Sequence, residues 1–493
     1  MNIYLKCIRD SKLCAMNTRT NSIIILLIIY IFIGTPNVRA QEESLVNKKE
    51  APSFKLTRAE ENYSYLSNPE NSPFQSSVFD AIKYIPITQG GSAYLSFGGQ
   101  IRPRFEHYSN RFWLSELDQN FYSQRYAFHS NVVLGKHFRL FGELYHGYTS
   151  HESEFAEYDK VDLFQAFAEI KLPINEHSKL SFRFGRQEMG LGAARLVGIR
   201  EGPNIRRSFD MVRSTYSHDQ TKIQAFYGKE VLPFFEAFDN DFTFFNGSAS
   251  NPILWGVYSQ FPIKGFNGIN ELYYLGFKAD NSRLNDVDAN EARQTIGLRR
   301  FGKIGKHWKY NTEIIYQFGN IGDNTISAFS IDTDWHYELL GTKWNWNPGL
   351  KLEYQSGDGK KGDGKINSFN PMFVNPAYYS LAATITPINI FGVHPSLSFE
   401  PINDVIIYIE WAVFWRASKN DGLYRPTRFI NRPTDGSQSR LIGHQFGGKL
   451  KYEINRNLSF DLDISYFIAG DFLNESGDSE NILHLAPTLN FIF

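Results

Sequence analysis

Apolar and polar side chains alternate along several segments of about ten residues in this chain. From Leu458 to Tyr466 every even-numbered residue is apolar or aromatic, and every odd-numbered residue is serine or aspartate. Trp308–Phe318 and Val405–Trp415 show a similar pattern. Because a β-strand directs successive side chains to opposite faces, each segment predicts a strand with one apolar face. About ten residues also suffice for a tilted strand to cross a bilayer.

The last twelve residues carry the same pattern and end on the aromatic Phe493. One face of this predicted strand is almost wholly apolar, and its residues are Leu483, Leu485, Pro487, Leu489, Phe491 and Phe493. A final strand of this kind, in a chain that opens with an export signal, is typical of outer-membrane β-barrels. We therefore expect contact with the lipid of the outer membrane, and with the barrel-assembly machinery through this C-terminal strand.

Residues 1–40 are predicted to be a cleaved signal peptide. Four basic residues precede an apolar run of eleven residues from Ile23 to Ile33, and Val38-Arg39-Ala40 is typical of a cleavage site. Eleven residues are too few for a membrane-spanning helix, although an uncleaved anchor remains the alternative. Cys7 and Cys14 both precede the apolar run. The mature chain then has no cysteine for a disulfide or for lipid attachment.

The remaining chain divides by composition into two parts. Residues 41–91 are polar and contain prolines, and they predict a periplasmic lead or a partial plug. Residues 92–493 predict an all-β transmembrane antiparallel barrel of about 18 strands (16–18) in the outer membrane of a Gram-negative bacterium. A soluble β-sandwich would also alternate, but aromatic residues collect near the strand ends, where a membrane girdle would lie.

Charge argues against a nucleic-acid partner. Removing residues 1–40 takes five basic and one acidic residue from the 51 basic and 52 acidic residues of the chain, which leaves a net charge of −5. A basic excess typical of nucleic-acid binding is therefore lacking.

An arginine-rich stretch near the middle of the chain is the strongest functional signal. Between Arg183 and Arg213 there are seven arginines and no lysine, with Glu188, Glu201 and Asp210 as the acidic residues. Exposure to lipid at mid-depth costs about 2–4 kcal/mol for each arginine, so these side chains must face the lumen, a loop or an ion pair. The predicted pore-lining set is Arg183, Arg186, Arg195, Arg206, Arg207 and Arg213, with Glu188 and Asp210 orienting some of them.

Two interpretations of these arginines stay open. In a narrow lumen they would attract anions and repel cations. Alternatively, the arginines and acids brace the wall against each other. Alternation breaks near Arg186, so the sequence does not decide which arginines face the lumen.

The stretch RFGRQEMGLGAARLVGIREGPNIRRSFDMVR resembles the central motif of the alginate export family. Leu95–Glu106 is similar to the family's first strand, and Ser356-Gly357-Asp358 with Asp363-Gly364-Lys365 resembles its Asp/Gly loop. The resemblance implies a monomeric barrel of 18 strands with an arginine-lined, anion-selective lumen for a polyuronate chain. Met211 stands where a small residue is expected, and members of the family need not share one cargo.

Other motifs argue against catalysis and bound metal. Asp358–Gly364 resembles a calcium loop, but Lys360 and Phe369 stand at positions that need oxygen ligands, which favours a hydrated turn. His146 and His151 lie near Glu152 and Glu154 and are weak metal candidates. Hydrolase, zinc-protease and nucleotide-binding motifs are missing from the sequence. We therefore expect no catalytic residue, no cofactor and no metal.

The resulting prediction is a porin-like channel for passive, anion-selective passage of acidic, alginate-like poly- or oligosaccharides. Two alternatives stay open. One is a general porin without preference for saccharides, and the other is a receptor or adhesin that acts through the loops of a sealed barrel.

Overall fold

The computed structural model describes residues 52–68, 74–150, 156–244, 251–263, 265, 267–375, 382–426 and 428–493. The predicted signal peptide, residues 41–51 of the predicted lead, and His151, Glu152 and Glu154 lie outside these residues. Apart from residues 74 and 75, the described residues belong to one compact unit.

Eighteen antiparallel strands form a closed barrel, as the alternation predicted. Each strand pairs with its neighbours along the chain, and the last strand pairs with the first. Phe493 and Gly99 exchange two backbone hydrogen bonds, of 2.9 and 3.1 Å, at this seam. The strands are β1 Ala93–Tyr108, β2 Gln119–Leu134, β3 Phe138–Thr149, β4 Asp159–Pro173, β5 Ser178–Gln187, β6 Ser208–His218, β7 Thr221–Val231, β8 Ile253–Pro262, β9 Ile269–Leu284, β10 Val287–Ile304, β11 Trp308–Ile321, β12 Asn324–Tyr337, β13 Asn347–Gln355, β14 Ile390–Ile402, β15 Val405–Arg416, β16 Leu441–Asn455, β17 Leu458–Ala469 and β18 Ile482–Ile492.

Smaller elements complete the fold. Among the described residues, the α-helices are α1 Asp80–Lys83 and α2 Asp471–Ser476, and the 3-10 turns are Arg58–Glu60, Ser64–Ser67 and Arg111–Trp113. Four short strands are Ile85–Pro86, Lys365–Ile366, Leu423–Tyr424 and Ile430–Arg432. In the described part of the chain, none of the helices has the length and apolar character needed to cross a membrane.

The barrel wall has an apolar outer face. On β17, Ile464 and Tyr466 are exposed, whereas Ser465 between them is buried. On β11, Ile314 and Tyr316 are exposed, and Ile315 between them is buried. Large side chains that are exposed at alternate positions surround the barrel, which is the arrangement that lipid requires. The predicted strand faces are therefore confirmed.

The connections differ in length between the two ends of the barrel. Two short connections form hairpins: β2 and β3 are joined by residues 135–137, and β16 and β17 by residues 456–457. Gly135 has φ +63°, a left-handed conformation that glycine adopts without strain. Residues 188–207 and 417–440 are long connections at the opposite end. Since short turns of such barrels face the periplasm, we call the two ends the short-turn end and the long-loop end.

Two long loops fold into the barrel. We call residues 188–207 inner loop A and residues 356–375 inner loop B. Phe373 of loop B donates its N–H to the Leu196 carbonyl and accepts from the Gly198 N–H, both at 2.9 Å. The Phe373 ring packs against Phe209 at 5.1 Å and Phe277 at 5.6 Å, and both of these residues point inward from the wall. The inner face is therefore apolar where the loops pack against it, which strand alternation alone did not predict.

Residues 52–68, the N-terminal segment, lie against the inner wall in the short-turn half. Arg58 donates to the carbonyl oxygens of Gly99 (3.1 Å) and Phe493 (3.0 Å), at the barrel seam. Ala59 is fully buried against Phe141 and Phe167, whose side chains point inward. Residues 52–68 of the predicted lead therefore occupy space inside the barrel.

Candidate functional site

Arg183 and Arg213 are direct partners in the register of β5 and β6. Their neighbours Phe182, Phe184 and Val212 are exposed on the outer face. Because side chains alternate along a strand, Arg183 and Arg213 lie on the inner wall. The sequence stretch around them folds as two paired strands, which is why arginines 30 positions apart become neighbours.

Four cations share two carboxylates at this position on the wall. Arg183 bonds to Glu169 and to Glu60 of the N-terminal segment, both at 3.0 Å, and Arg213 lies 3.7 Å from the same Glu60 oxygen. Arg139 and Lys171 each lie 3.4 Å from Glu169. We call Arg139, Lys171, Arg183 and Arg213 the basic cluster. The four positive charges of the cluster outnumber the two negative charges of Glu60 and Glu169.

A cavity of about 740 Å³ opens at the short-turn end beside this cluster. Four lysines line it, and three of them, Lys136, Lys179 and Lys222, are exposed. Glu176 and Asp219 are the acidic residues of its lining. The rim of the barrel at this end is therefore basic, although the chain as a whole is acidic.

Glu60 shows how strong the local positive field is. The Glu60 side chain is half-exposed, and the protein around it partly desolvates the carboxyl and raises its pKa, but the charges of Arg183, Arg213, Arg139 and Lys222 lower it to about 2. The carboxylate is therefore ionised throughout the physiological pH range. A second carboxylate that reached this position would be stabilised by the same field.

Arg206 and Glu188 form an ion pair in inner loop A. Arg206 lies 2.7 Å from Glu188 and 3.1 Å from Glu201, and it donates to the Leu56 carbonyl at 2.9 Å. Arg206 and Glu188 are both buried. This pair therefore joins inner loop A to the N-terminal segment.

Three wall arginines that the sequence analysis did not select also hold inner loop A. Arg125 lies 2.6 Å from the Glu201 carboxylate, and Arg102 donates to the Glu201 carbonyl at 2.6 Å. Arg104 donates to the Gly202 carbonyl at 3.0 Å. The alternation of β1 places Arg102 and Arg104 on the inner face, and this signal was available in the sequence.

Arg195 and Arg207 attach the inner loops to other parts of the wall. Arg195 of loop A lies 2.6 Å from Glu313, on β11. Arg207 lies 2.8 Å from Glu230, on β7, and donates to the Phe373 carbonyl of loop B at 2.5 Å. These two buried arginines hold the loops in place, since their partners lie on different elements.

Arg186 and Asp210 form a buried two-pronged ion pair, with nitrogen–oxygen distances of 2.9 and 3.2 Å. Arg186 comes two positions after the outward-facing Phe184, and Asp210 is its direct partner in the register of β5 and β6. Neither side chain therefore shares the inner face of Arg183. Residues after β7 cover them: Asn240 accepts from Arg186 at 2.8 Å, and the Thr243 N–H donates to Asp210 at 2.7 Å. The structure therefore distributes the predicted set over several contacts and does not gather it into one ring.

We expect Arg186→Met to destabilise the barrel by about 3–5 kcal/mol, because it leaves the buried Asp210 carboxylate without its partner. Arg283→Met is the control, since its pair with Asp288 is solvent-exposed (60% and 50% of the two side chains) and contributes at most about 1 kcal/mol. Urea unfolding of the detergent-solubilised protein measures the stability of both variants, with heat-modifiable gel mobility as the readout of the folded fraction. Equal midpoints for the two variants would contradict a bracing role.

The weaker candidates from the sequence show no metal arrangement. Among the described residues, no three His, Cys, Asp or Glu side chains are grouped closely enough to hold a metal ion. His146 is hydrogen-bonded to the Lys160 carbonyl. Asp358 is buried and accepts from Asn285 at 2.8 Å, whereas residues 359–365 form an exposed turn. Asp358 therefore anchors the turn. We expected a hydrated turn, but the Asp358 side chain itself is buried.

A closed 18-stranded barrel with an apolar outer face and an arginine-rich interior defines an outer-membrane, porin-like channel of Gram-negative bacteria. Residues 93–482 match the sequence model of the family described as Alginate export, and the chain belongs to this family. The family and the fold are those of transport channels. A search of curated protein sequences finds no significant match.

Solved structures of Occ channels share the fold. OccK5 (OpdH) of Pseudomonas aeruginosa is 13% identical, with a TM-score of 0.53 over 81% of this chain and 98% of that chain. OccK2 (OpdF) of the same organism, in complex with glucuronate, is 10% identical, with a TM-score of 0.52 and the same coverage. OccAB2 of Acinetobacter baumannii is 9% identical, with a TM-score of 0.52, again over 81% and 98%. These identities support similarity of fold.

Proposed function

We propose that this channel allows passive, anion-selective passage of acidic, alginate-like poly- or oligosaccharides. One observation carries the proposal: within the described part of the chain, the four cations of the basic cluster on the inner wall form ion pairs with two carboxylates, Glu60 and Glu169. The cavity beside them adds exposed lysines. An anion in this half of the barrel meets a positive field, and a cation is repelled.

The chemistry of arginine suits a uronate chain. A guanidinium binds a carboxylate with two parallel hydrogen bonds and stays charged at every physiological pH. Passage also requires weak binding, so that each carboxylate is released to the next site. Glu60 and Glu169 partly neutralise the arginines, which lowers their affinity for a solute carboxylate.

Two comparisons support a saccharide as the solute. The family carries the description Alginate export, and alginate is a polyuronate. The similar barrel OccK2 was solved with glucuronate, a single uronate unit. Inner loops A and B fill part of the barrel cross-section, which favours a thin linear solute over a bulky one.

The predicted pore-lining set divides into two groups under this proposal. Arg183 and Arg213 act on the solute, since they lie beside the cavity and share their carboxylates with other cations. The remaining members hold the loops and the wall through buried ion pairs, and they are Arg186, Arg195, Arg206, Arg207, Glu188 and Asp210.

Planar-bilayer recordings test this proposal. With a tenfold KCl gradient across the bilayer, we expect the sign of the reversal potential to show chloride preference. Micromolar to millimolar oligouronate should block the current, whereas a neutral oligosaccharide of equal length should not. Equal block by both sugars would favour the general porin, and a lack of conductance would favour the sealed receptor or adhesin.

A further inference from the structure

We propose that Arg183 and Arg213 form a carboxylate-binding site that Glu60 occupies from within the chain, and that a uronate carboxylate displaces Glu60 during passage. The N-terminal segment would then be a plug whose acidic side chain competes with the solute. This inference rests on the proposed function, because it names the solute group that enters the site.

The geometry of Glu60 is that of a bound ligand. A single carboxylate oxygen, Oε1, lies 3.0 Å from Arg183 and 3.7 Å from Arg213. The Glu60 side chain is 48% exposed, whereas those of Arg183 and Arg213 are 5% and 13% exposed. Glu60 therefore lies between the solvent and two largely covered guanidinium groups. Moving it away would open both of them to an incoming anion.

The backbone beside Glu60 is held by other contacts. Arg58 donates to Gly99 and Phe493, and the Ala59 carbonyl accepts from Arg139 at 2.6 Å. The Leu56 carbonyl accepts from Arg206. Because these contacts do not involve the Glu60 carboxylate, its side chain can leave the arginines while the rest of the segment stays in place.

The surroundings supply a route to the site and a reason for exchange. Lys179 and Lys222 are exposed on the cavity at the short-turn end, and Lys222 contributes to the positive field at Glu60. A solute carboxylate would pass these lysines first. Replacing one carboxylate by another keeps the guanidinium groups paired, so the exchange avoids the cost of leaving a covered charge without a partner.

Isothermal titration of the detergent-solubilised full chain with potassium glucuronate tests the competition. We expect Glu60→Gln to bind glucuronate at least about fivefold more tightly than the wild type, because its neutral side chain competes less for the arginines. Glu60→Ala should show the same gain and guards against an effect specific to glutamine. Glu176→Gln is the matched control, since it removes the same charge from an exposed position on the cavity at the short-turn end.

The outcomes separate this inference from the proposed function. A gain in both Glu60 variants, together with unchanged binding in Glu176→Gln and loss of the gain in the Glu60→Gln/Arg213→Gln double variant, supports the site. Equal affinity in the wild type and the Glu60 variants overturns it, as does an equal gain in Glu176→Gln, which would reflect charge alone. The binding readout does not depend on conductance, so a failure of anion selectivity in bilayers would refute only the proposed function.

Discussion

The double substitution Arg183→Gln and Arg213→Gln is expected to abolish the anion preference of the channel. Glu60 and Glu169 would then face only Arg139 and Lys171 of the basic cluster, and the local excess of positive charge would disappear. One unit charge about 4 Å from an ion in water changes its energy by about 1 kcal/mol. Two charges therefore alter the entry of a single anion species by roughly 30-fold.

Reversal potentials in a KCl gradient measure this change. The control is Arg283→Gln combined with Lys303→Gln, which removes two positive charges from exposed ion pairs at the ends of strands. We expect wild-type selectivity in the control. If the Arg183/Arg213 variant keeps the wild-type reversal potential, these arginines only brace the wall, and the selectivity has another source.

The second large effect is expected from Phe373→Ala. Phe373 is buried where inner loops A and B meet, and its ring contacts Phe209, Phe277 and the Arg207 guanidinium. Loss of a buried phenyl ring costs about 3–5 kcal/mol. The two loops should then separate more easily, and we expect the single-channel conductance in 1 M KCl to rise at least about twofold.

Phe318→Ala is the matched control for this variant. Phe318 is exposed on the outer face of β11, so its removal changes contact with lipid and leaves the interior unaltered. Its conductance should equal that of the wild type. A conductance of Phe373→Ala that also stays at the wild-type value would show that inner loops A and B do not limit the current.

The barrel could be predicted from the sequence because its signals are local. Alternation along β11 and β17 identified the strands and their outer faces. Lipid on one side of the wall imposes this pattern on every strand, so it repeats often enough to be recognised.

The loops inside the barrel could not be predicted in the same way. Inner loop A is polar and arginine-rich in sequence, yet Leu196 and Val197 are buried against loop B. One signal was present: Ile315 interrupts the polar face of β11, and its side chain is buried inside the barrel. A single apolar residue on an inner face does not reveal which loop covers it.

The ion pairs were beyond sequence reasoning for a related reason. Alternation states which face a side chain occupies, but not which distant residue it meets. Glu60 and Arg183 are 123 positions apart, and Arg195 and Glu313 are 118 apart. The polar side chain of Arg186, on the face of β5 that Phe184 shares, also has a visible cause: Asn240 and Thr243 cover Arg186 and its partner Asp210.

Solute flux into proteoliposomes tests the central claim most directly. Liposomes that contain the wild-type protein are mixed with an oligouronate or with a neutral oligosaccharide of the same length, and swelling is followed by light scattering. We predict faster entry of the oligouronate, at a rate that falls in the Arg183→Gln/Arg213→Gln variant. Entry of the neutral sugar at an equal or higher rate would contradict a channel for acidic saccharides.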